Sequence, residues 1–299
     1  MPLKDIIISS FPQYCQKLDS GKDVCFRPII VLEEKSLLLA KQSEDKITIL
    51  KTLIDIMSSC FKENVQLYSI CDFEQAFLLL RSKSLGEVES FSITCPKTDE
   101  SVNISINLNT DVSVLKKNKN NKIKLKDDLL IVLSPPTIKT LLKYPNYTND
   151  DKMVYNFIAS CVKQIITQKE VIDCKDKNEK EIIEFIHNLT PQQFKLIIEY
   201  FDSLPSVRII CKYTTSDGVL RNITLKGIFN LINFFFDHLT LELYYRQNFQ
   251  MKYHHHYSLN EIENMFPWER SVYIEQIRTY LQEETDRLNH STETNYYAS

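Results

Sequence analysis

Two cysteines stand in matching contexts, Phe91-Ser-Ile-Thr-Cys95-Pro-Lys-Thr98 and Val207-Arg-Ile-Ile-Cys211-Lys-Tyr-Thr214, each followed by a second alternating apolar run. A ribbon-type structural metal needs two thiolates about two residues apart, because one tight turn must present both to a tetrahedral ion. Thr98 and Thr214 occupy the positions of those second thiolates. Both turns therefore read as degenerate zinc-ribbon knuckles, and neither structural zinc nor another cofactor is expected. Burial as small hydrophobes is the favoured reading of Cys95 and Cys211, with a shared two-thiol site or a disulfide between the repeats as the alternatives. The other metal candidate is His254-His255-His256. Adjacent residues project in different directions, and the cluster lacks the i, i+4 pairing of a helical metal site, so a surface or interface turn is the better reading. His187, His238 and His290 have no recognisable nucleophile partner, which leaves a Cys/His hydrolase a distant third class. The four glycines, Gly21, Gly86, Gly218 and Gly227, never cluster, and phosphate-cradling loops need such clusters.

The elements that must position these residues follow from apolar periodicity. Helical spacing over Leu32 to Gln42 and Lys46 to Phe61, with Ser43-Glu44-Asp45 between, predicts an antiparallel helix pair. A third helix should open on an Asp72/Gln75 capping box and stop at Gly86. Strands Val88 to Thr94 and Val102 to Leu108 follow, joined by the Cys95 turn. Ile123 to Lys126 and Leu129 to Leu133 form a hairpin turning at Asp127-Asp128, and 151–168 reads as one amphipathic helix. Asn178 caps the next helix, and Thr190-Pro191-Gln192-Gln193 opens another that ends near Leu204-Pro205. A second hairpin, Val207 to Cys211 and Val219 to Leu225, then repeats the helix-plus-hairpin order, and a buried helix runs from Gly227 to Phe236. Helices from Leu239 to Met251, from a Ser258/Glu261 capping box, and from Pro267 to about Leu288 complete the chain before a frayed polar tail. The fold class is α+β, mainly helical, with two helix-plus-β-hairpin units and a helical C-terminal extension. The units are placed at 1–114, 115–236 and 237–299.

At 299 residues and 43% hydrophobic content the chain can bury a substantial core. A net charge of −3 gives no global attraction to nucleic acid or acidic membranes. The local exception, Lys116, Lys117, Lys119, Lys122, Lys124 and Lys126, contains no aromatic residue or arginine, so it reads as a solvated hairpin or linker and not as a stacking platform for bases. The apolar stretch after Met1 is too short for a signal peptide, and all eight cysteines are expected as reduced thiols. Gly227 to Phe236 is too short to span a bilayer. Trp268, with Tyr257, Met265, Phe266, Arg270 and Tyr273, is the candidate partner-binding set, either as interface anchors or as packing of the extension.

One ordered series of segments carries more than any single motif. It comprises Cys25-Phe-Arg27-Pro28-Ile-Ile-Val-Leu-Glu33-Glu34-Lys35, Asp72-Phe-Glu-Gln-Ala-Phe77-Leu-Leu-Leu-Arg81-Ser-Lys83-Ser-Leu-Gly86-Glu87 and Cys95-Pro96, then Lys143-Tyr144-Pro145, Glu184-Phe185-Ile186-His187-Asn188-Leu189-Thr190, Phe201-Asp-Ser-Leu-Pro205 and Leu225-Lys-Gly227-Ile-Phe-Asn-Leu-Ile-Asn-Phe234-Phe235. Over roughly residues 20 to 236 this series resembles the baseplate hub subunit family of T-even-type contractile-tailed phages. Members commonly carry a complete Cys-Pro-x-Cys knuckle, from which Thr98 and Thr214 depart. Beyond Phe236, Tyr253 to Leu259 and Pro267-Trp268-Glu269-Arg270 are similar to the C-terminal module of phage tail-assembly proteins. The resemblance implies a non-catalytic hub subunit or chaperone-like assembly factor holding tail hub or tape-measure proteins. Its implied location is the host cytoplasm during assembly or the virion tail baseplate. The alternative class is a degenerate zinc-ribbon adaptor for metal or nucleic acid.

Overall fold

A computed structural model of the chain describes residues 11–115, 120–145, 151–236 and 239–296. Lys116, Lys117, Lys119 and His238 lie outside the described residues. The first elements are β1 (Tyr14–Lys17) and β2 (Asp23–Phe26), an antiparallel hairpin whose turn uses the positive φ of Gly21. The register sets Cys15 opposite Cys25, and the two form a disulfide. This corrects the expectation of eight free thiols: a separation of ten residues hides a pair that the hairpin brings face to face. The other six cysteines are free and buried.

α1 (Val31–Gln42) and α2 (Lys46–Phe61) form the expected pair, and Asp45 caps α2 by accepting from the N–H groups of Ile47 and Thr48. α3 (Ile70–Leu85) starts earlier than the sequence suggested. Its N-cap is Ser69, whose hydroxyl accepts the Asp72 N–H at 3.1 Å, so Asp72 sits inside the first turn. Cys71 and Phe73 are buried, and the added turn places them in the core. Gly86 ends the helix at φ +111°, where a side chain would be strained.

β3 (Val88–Thr94) and β4 (Ser101–Asn107) pair antiparallel, and β5 (Val112–Leu115) continues beyond them. β6 (Lys122–Lys126) and β7 (Leu129–Leu133) turn at Asp127-Asp128 as read from the sequence. α4 (Ile138–Lys143) and α5 (Asp151–Cys161) follow. The helix predicted to reach Gln168 stops at Cys161, and Val162–Thr167 is strand β8. Ile131 of β7 faces Ile165, and a run of Val162, Ile165, Ile166 and Thr167 suits a pleated surface better than a helix. Strand β9 (Val171–Asp173) completes a four-stranded sheet in the order β6-β7-β8-β9.

α6 (Glu179–His187) is capped by Asn178, and α7 (Pro191–Asp202) opens on a full capping box. The Thr190 hydroxyl accepts from the Gln193 N–H, while Gln193 Oε1 accepts from the Thr190 N–H at 2.9 Å. Thr190→Ala should cost about 1 kcal/mol in urea unfolding; a loss below a few tenths would show that the box contributes nothing. β10 (Ser206–Thr214) is the centre of a sheet ordered β11-β10-β5, with β11 at Leu220–Leu225. Four helices end the chain: α8 (Ile228–Phe236), α9 (Leu241–His255), α10 (Leu259–Asn264) and α11 (Pro267–Tyr296). α11 thus continues past the predicted end near Leu288, through most of the segment read as a frayed tail.

Three larger apolar clusters hold these elements, with a smaller fourth at Tyr144, Phe157 and Cys161. The largest joins α1, α2, α3 and α8 to the inner faces of β3-β4 and β10-β11, with Phe77, Ile106, Ile209 and Phe235 nearly inaccessible. A second lies between the β6–β9 sheet and α5, α6 and α7, around Ile131, Leu133, Ile186 and Ile197. In the third, Tyr244, Met251, Ile262, Ile274 and Ile277 of the last three helices close on Val31 and Leu38 of α1. Among the described residues no helix is long and apolar enough to cross a membrane.

Candidate functional site

The two cysteine turns do not match in space. Cys95 sits at the end of β3 in a tight turn, its N–H donating to Glu100 O at 2.8 Å and its carbonyl accepting from Asp99. Cys211 lies in the middle of β10, paired across the ladder with Ile223, and the turn of that hairpin comes later, at 215–219. Thr215, not Cys211, holds the place equivalent to Cys95, and Thr214 is an exposed strand end. The knuckle expectation is therefore corrected: hairpin length was repeated, but the position of the cysteine within it was not. The neighbouring Thr98 hydroxyl, with the Lys97 backbone and the Tyr213 hydroxyl at 3.6 Å, favours the Cys95 thiolate and brings the thiol down to about 7. Burial instead pushes Cys211 up to about 11. Among the described residues no three His, Cys, Asp or Glu side chains come together to hold a metal ion.

The hairpins do meet. Tyr213 reaches Cys95, and Glu100, just before β4, accepts from both the N–H and the hydroxyl of Ser216, at 2.9 and 2.6 Å. The histidine cluster is not a turn before a cap. His254 and His255 fill the last turn of α9, where cationic or polar groups suit the exposed carbonyls, and His256 is its left-handed C-cap at φ +59°. All three are exposed.

The predicted partner set divides by burial. Arg270 is 3% exposed and donates from Nη2 to Glu34 Oε2 at 2.7 Å, across the seam between α11 and α1. Its guanidinium lies 5.3 Å from the Tyr244 ring centre. Phe266 is buried, with Phe11 edge-on to its ring at 5.3 Å, and the Met265 carbonyl accepts the Val31 N–H at 2.9 Å. Tyr257 and Tyr273 are half-buried against each other. Lys35 and Glu263 form a further ion pair at 2.9 Å on the same seam, and hydrogen bonding to Glu263 raises the Lys35 pKa. The extension is thus fastened to the preceding core by a main-chain bond, two ion pairs and an apolar cluster. Of the six candidates Trp268 is the one turned outward, 45% exposed and stacked over Phe266.

A second exposed feature went unread in the sequence. Tyr245, Phe249 and Tyr253 of α9 are between 54% and 66% exposed, and Phe249 and Tyr253 stack at 5.6 Å. They recur every four residues and so line one helix face, while Tyr244, Asn248 and Met251 of the same helix are buried. The spacing was available as a signal; what it lacked was knowledge of which face the core would claim. Three aromatic rings in file on the surface form the kind of apolar patch that marks contact with another protein.

No curated protein and no solved structure matches the chain. A family model described as T4 bacteriophage base plate protein matches residues 12–235. The match runs from the β1-β2 hairpin into α8 and takes in the first two apolar clusters whole or nearly so, stopping before α9. By that match over most of its length, the chain belongs to the T4 bacteriophage base plate protein family.

Proposed function

We propose that the chain is a hub subunit of the baseplate, or a chaperone-like hub assembly factor, acting by protein–protein contact without catalysis. The observation that carries this reading is the aromatic file on α9, with Trp268 nearby in sequence on α11, both on the C-terminal module that follows the family core. Its partners in this reading are tail hub or tape-measure proteins, met in the host cytoplasm during assembly or in the virion tail baseplate. The exposed rings supply rigid apolar anchors at low entropic cost.

The test keeps the module in place, because removing it would strand Glu34 and uncover Val31 and Leu38 of α1. A full-length variant with Tyr245→Ser, Phe249→Ser, Tyr253→Ser and Trp268→Ser should retain the thermal midpoint of the wild type. Supplied in infected cells lacking the native copy, it should co-sediment with baseplate precursors at least about tenfold less, since single anchor residues of this kind contribute about 2 kcal/mol or more. Wild-type levels of co-sedimentation by a folded variant would sink the reading.

A further inference from the structure

Among the described residues no strand pairs with the outer edge of the seven-residue strand β3. Cys95 N–H donates to Glu100 O and Leu108 N–H to Glu87 O, which fixes the alternation of the β3-β4 ladder. Glu89, Phe91 and Ile93 therefore face β4 with their backbone groups. The N–H and C=O groups of Val88, Ser90, Ser92 and Thr94 face away from it, and no described strand ladders onto them.

Native sheets guard such edges with lysine, proline or a bulge. The contrast within this molecule is direct. β6, at the edge of the four-stranded sheet, reads Lys122-Ile-Lys124-Leu-Lys126 with all three lysines exposed, and its pairing to β7 is irregular. β3 has one charged residue, Glu89, and it is turned inward onto Arg81. The outer face of the ribbon carries Val88, Ser90, Ser92 and Thr94 opposite Asn107, Ser105, Asn103 and Ser101, with Ser90–Ser105 and Ser92–Asn103 joined across the strands by hydroxyl and amide contacts. An edge without charge, proline or bulge, on a sheet of only two strands, is a template with its protection left off.

Beside β3 lies a groove of about 790 Å³. Its apolar walls come from Phe91 and Ile93 of β3, Ile104 of β4, Ile223 and Leu225 of β11 and Phe234 of α8. We propose that β3 accepts a β-strand from another baseplate protein, antiparallel or parallel, hydrogen-bonded to the outward groups of Val88 to Thr94 and directing alternate, uncharged apolar side chains into this groove. A second copy of the chain fits poorly. Its own β3 has Phe91 packed edge-on against Phe234 at 4.4 Å, and among its exposed side chains Val88 alone is apolar beside serines and threonine, so it offers one apolar residue where the groove takes alternate ones. This inference rests on the reading of the chain as a partner-binding baseplate component, but it assigns the contact to a different surface from the aromatic file.

The experiment is hydrogen exchange read by mass spectrometry on the full-length chain, alone and in the baseplate-related assemblies isolated from infected cells. The edge amides of Val88, Ser90, Ser92 and Thr94 should exchange freely in the isolated chain and slow by at least about tenfold in the assemblies. Ser90→Pro with Ser92→Pro removes two outward donors and leaves the β4 ladder intact, as edge strands allow; this variant should fold and fail to enter the assemblies. If proline unfolds the ribbon, Ser90→Lys with Ser92→Lys copies the guard seen on β6 and should give the same loss. Edge amides that stay fast in assemblies containing the chain overturn this inference alone, as does normal incorporation of either folded variant. Protection that arises in the isolated chain with rising concentration assigns the edge to a second copy and also overturns it. If the wild-type chain enters no assembly, this inference and the proposed function fall together.

Discussion

Arg270→Ala should lower the free energy of unfolding by about 3–5 kcal/mol, because it leaves a buried carboxylate without its counter-charge. Glu34 is 1% exposed, and Arg270 is its ion-pair partner across the seam. Burial already raises the Glu34 pKa despite that partner, so desolvation outweighs the attraction even in the intact pair. Nearby polar atoms add to the cost: Glu34 Oε1, Arg270 Nε and Nη1, and both amide atoms of Asn248 are buried without hydrogen bonds in this structure. A seam of this kind does little to stabilise and much to specify. The double change Glu34→Leu with Arg270→Met should therefore recover most of the loss, to within about 1 kcal/mol of wild type or better. Urea unfolding followed by circular dichroism measures both. If the single variant loses less than about 1 kcal/mol, the pair is not desolvated in solution, and the extension does not dock as described.

Between pH 5 and pH 8 the wild-type chain should lose about 3 kcal/mol of stability that a Glu74→Gln variant keeps. Glu74 lies on α3 beneath the start of β10 and the start of α8, 3% exposed, and burial pushes its carboxyl up to about 7. The Val207 and Ile228 backbone N–H groups offset part of that burial. The ordinary value is 4.5 and the folded value lies above it. The folded state thus holds its proton more tightly than the unfolded one: the stabilising contribution is complete below about pH 4.5 and is lost as pH rises through about 7. Cys95 acts in the opposite sense, since its lowered pKa favours the fold as its thiolate forms. Subtracting the variant's pH curve from that of the wild type cancels the cysteine and leaves Glu74. Parallel curves would place Glu74 in contact with water.

The local grammar of the chain was legible where one residue type forces one geometry. Asn178, Thr190 and Ser258 each cap the helix assigned to them, and Gly86 ends α3 at a φ that excludes other residues. Misreadings arose where tertiary contacts decided between periodicities. From Val154 to Ile166 the apolar spacing fits a helix throughout, and only the vacant edge of β7 converts its last third into β8. The Cys15–Cys25 bridge was hidden in the same way, because cross-strand register cannot be seen before a hairpin is recognised. Site reading failed most clearly at Arg270. A charged residue beside Trp268 suggests an exposed interface, yet its counter-charge lies far upstream in the sequence, at Glu34 on α1. The aromatic file on α9 was visible as composition, but its direction depends on a core built from α1, α10 and α11.

The pairing of Ser206 with Leu115 means that the β6–β9 layer and its helices enter and leave the molecule at neighbouring points on adjacent strands. A chain that closed β5 onto β10 with that segment still unstructured would meet a loop-closure entropy of about 4 kcal/mol beyond the constant term. If the inserted layer condenses first on its own apolar cluster, its ends are already gathered and the effective loop becomes short. The order of events during synthesis is then biased: the middle of the chain matures before the sheet that flanks it, and β10 joins its neighbours only after the ribosome has released the whole insertion. In that sequence of steps the β3 edge is present well before β10 and β11 complete the groove beside it, so the strand-accepting surface becomes competent late, when the rest of the molecule is ready to assemble.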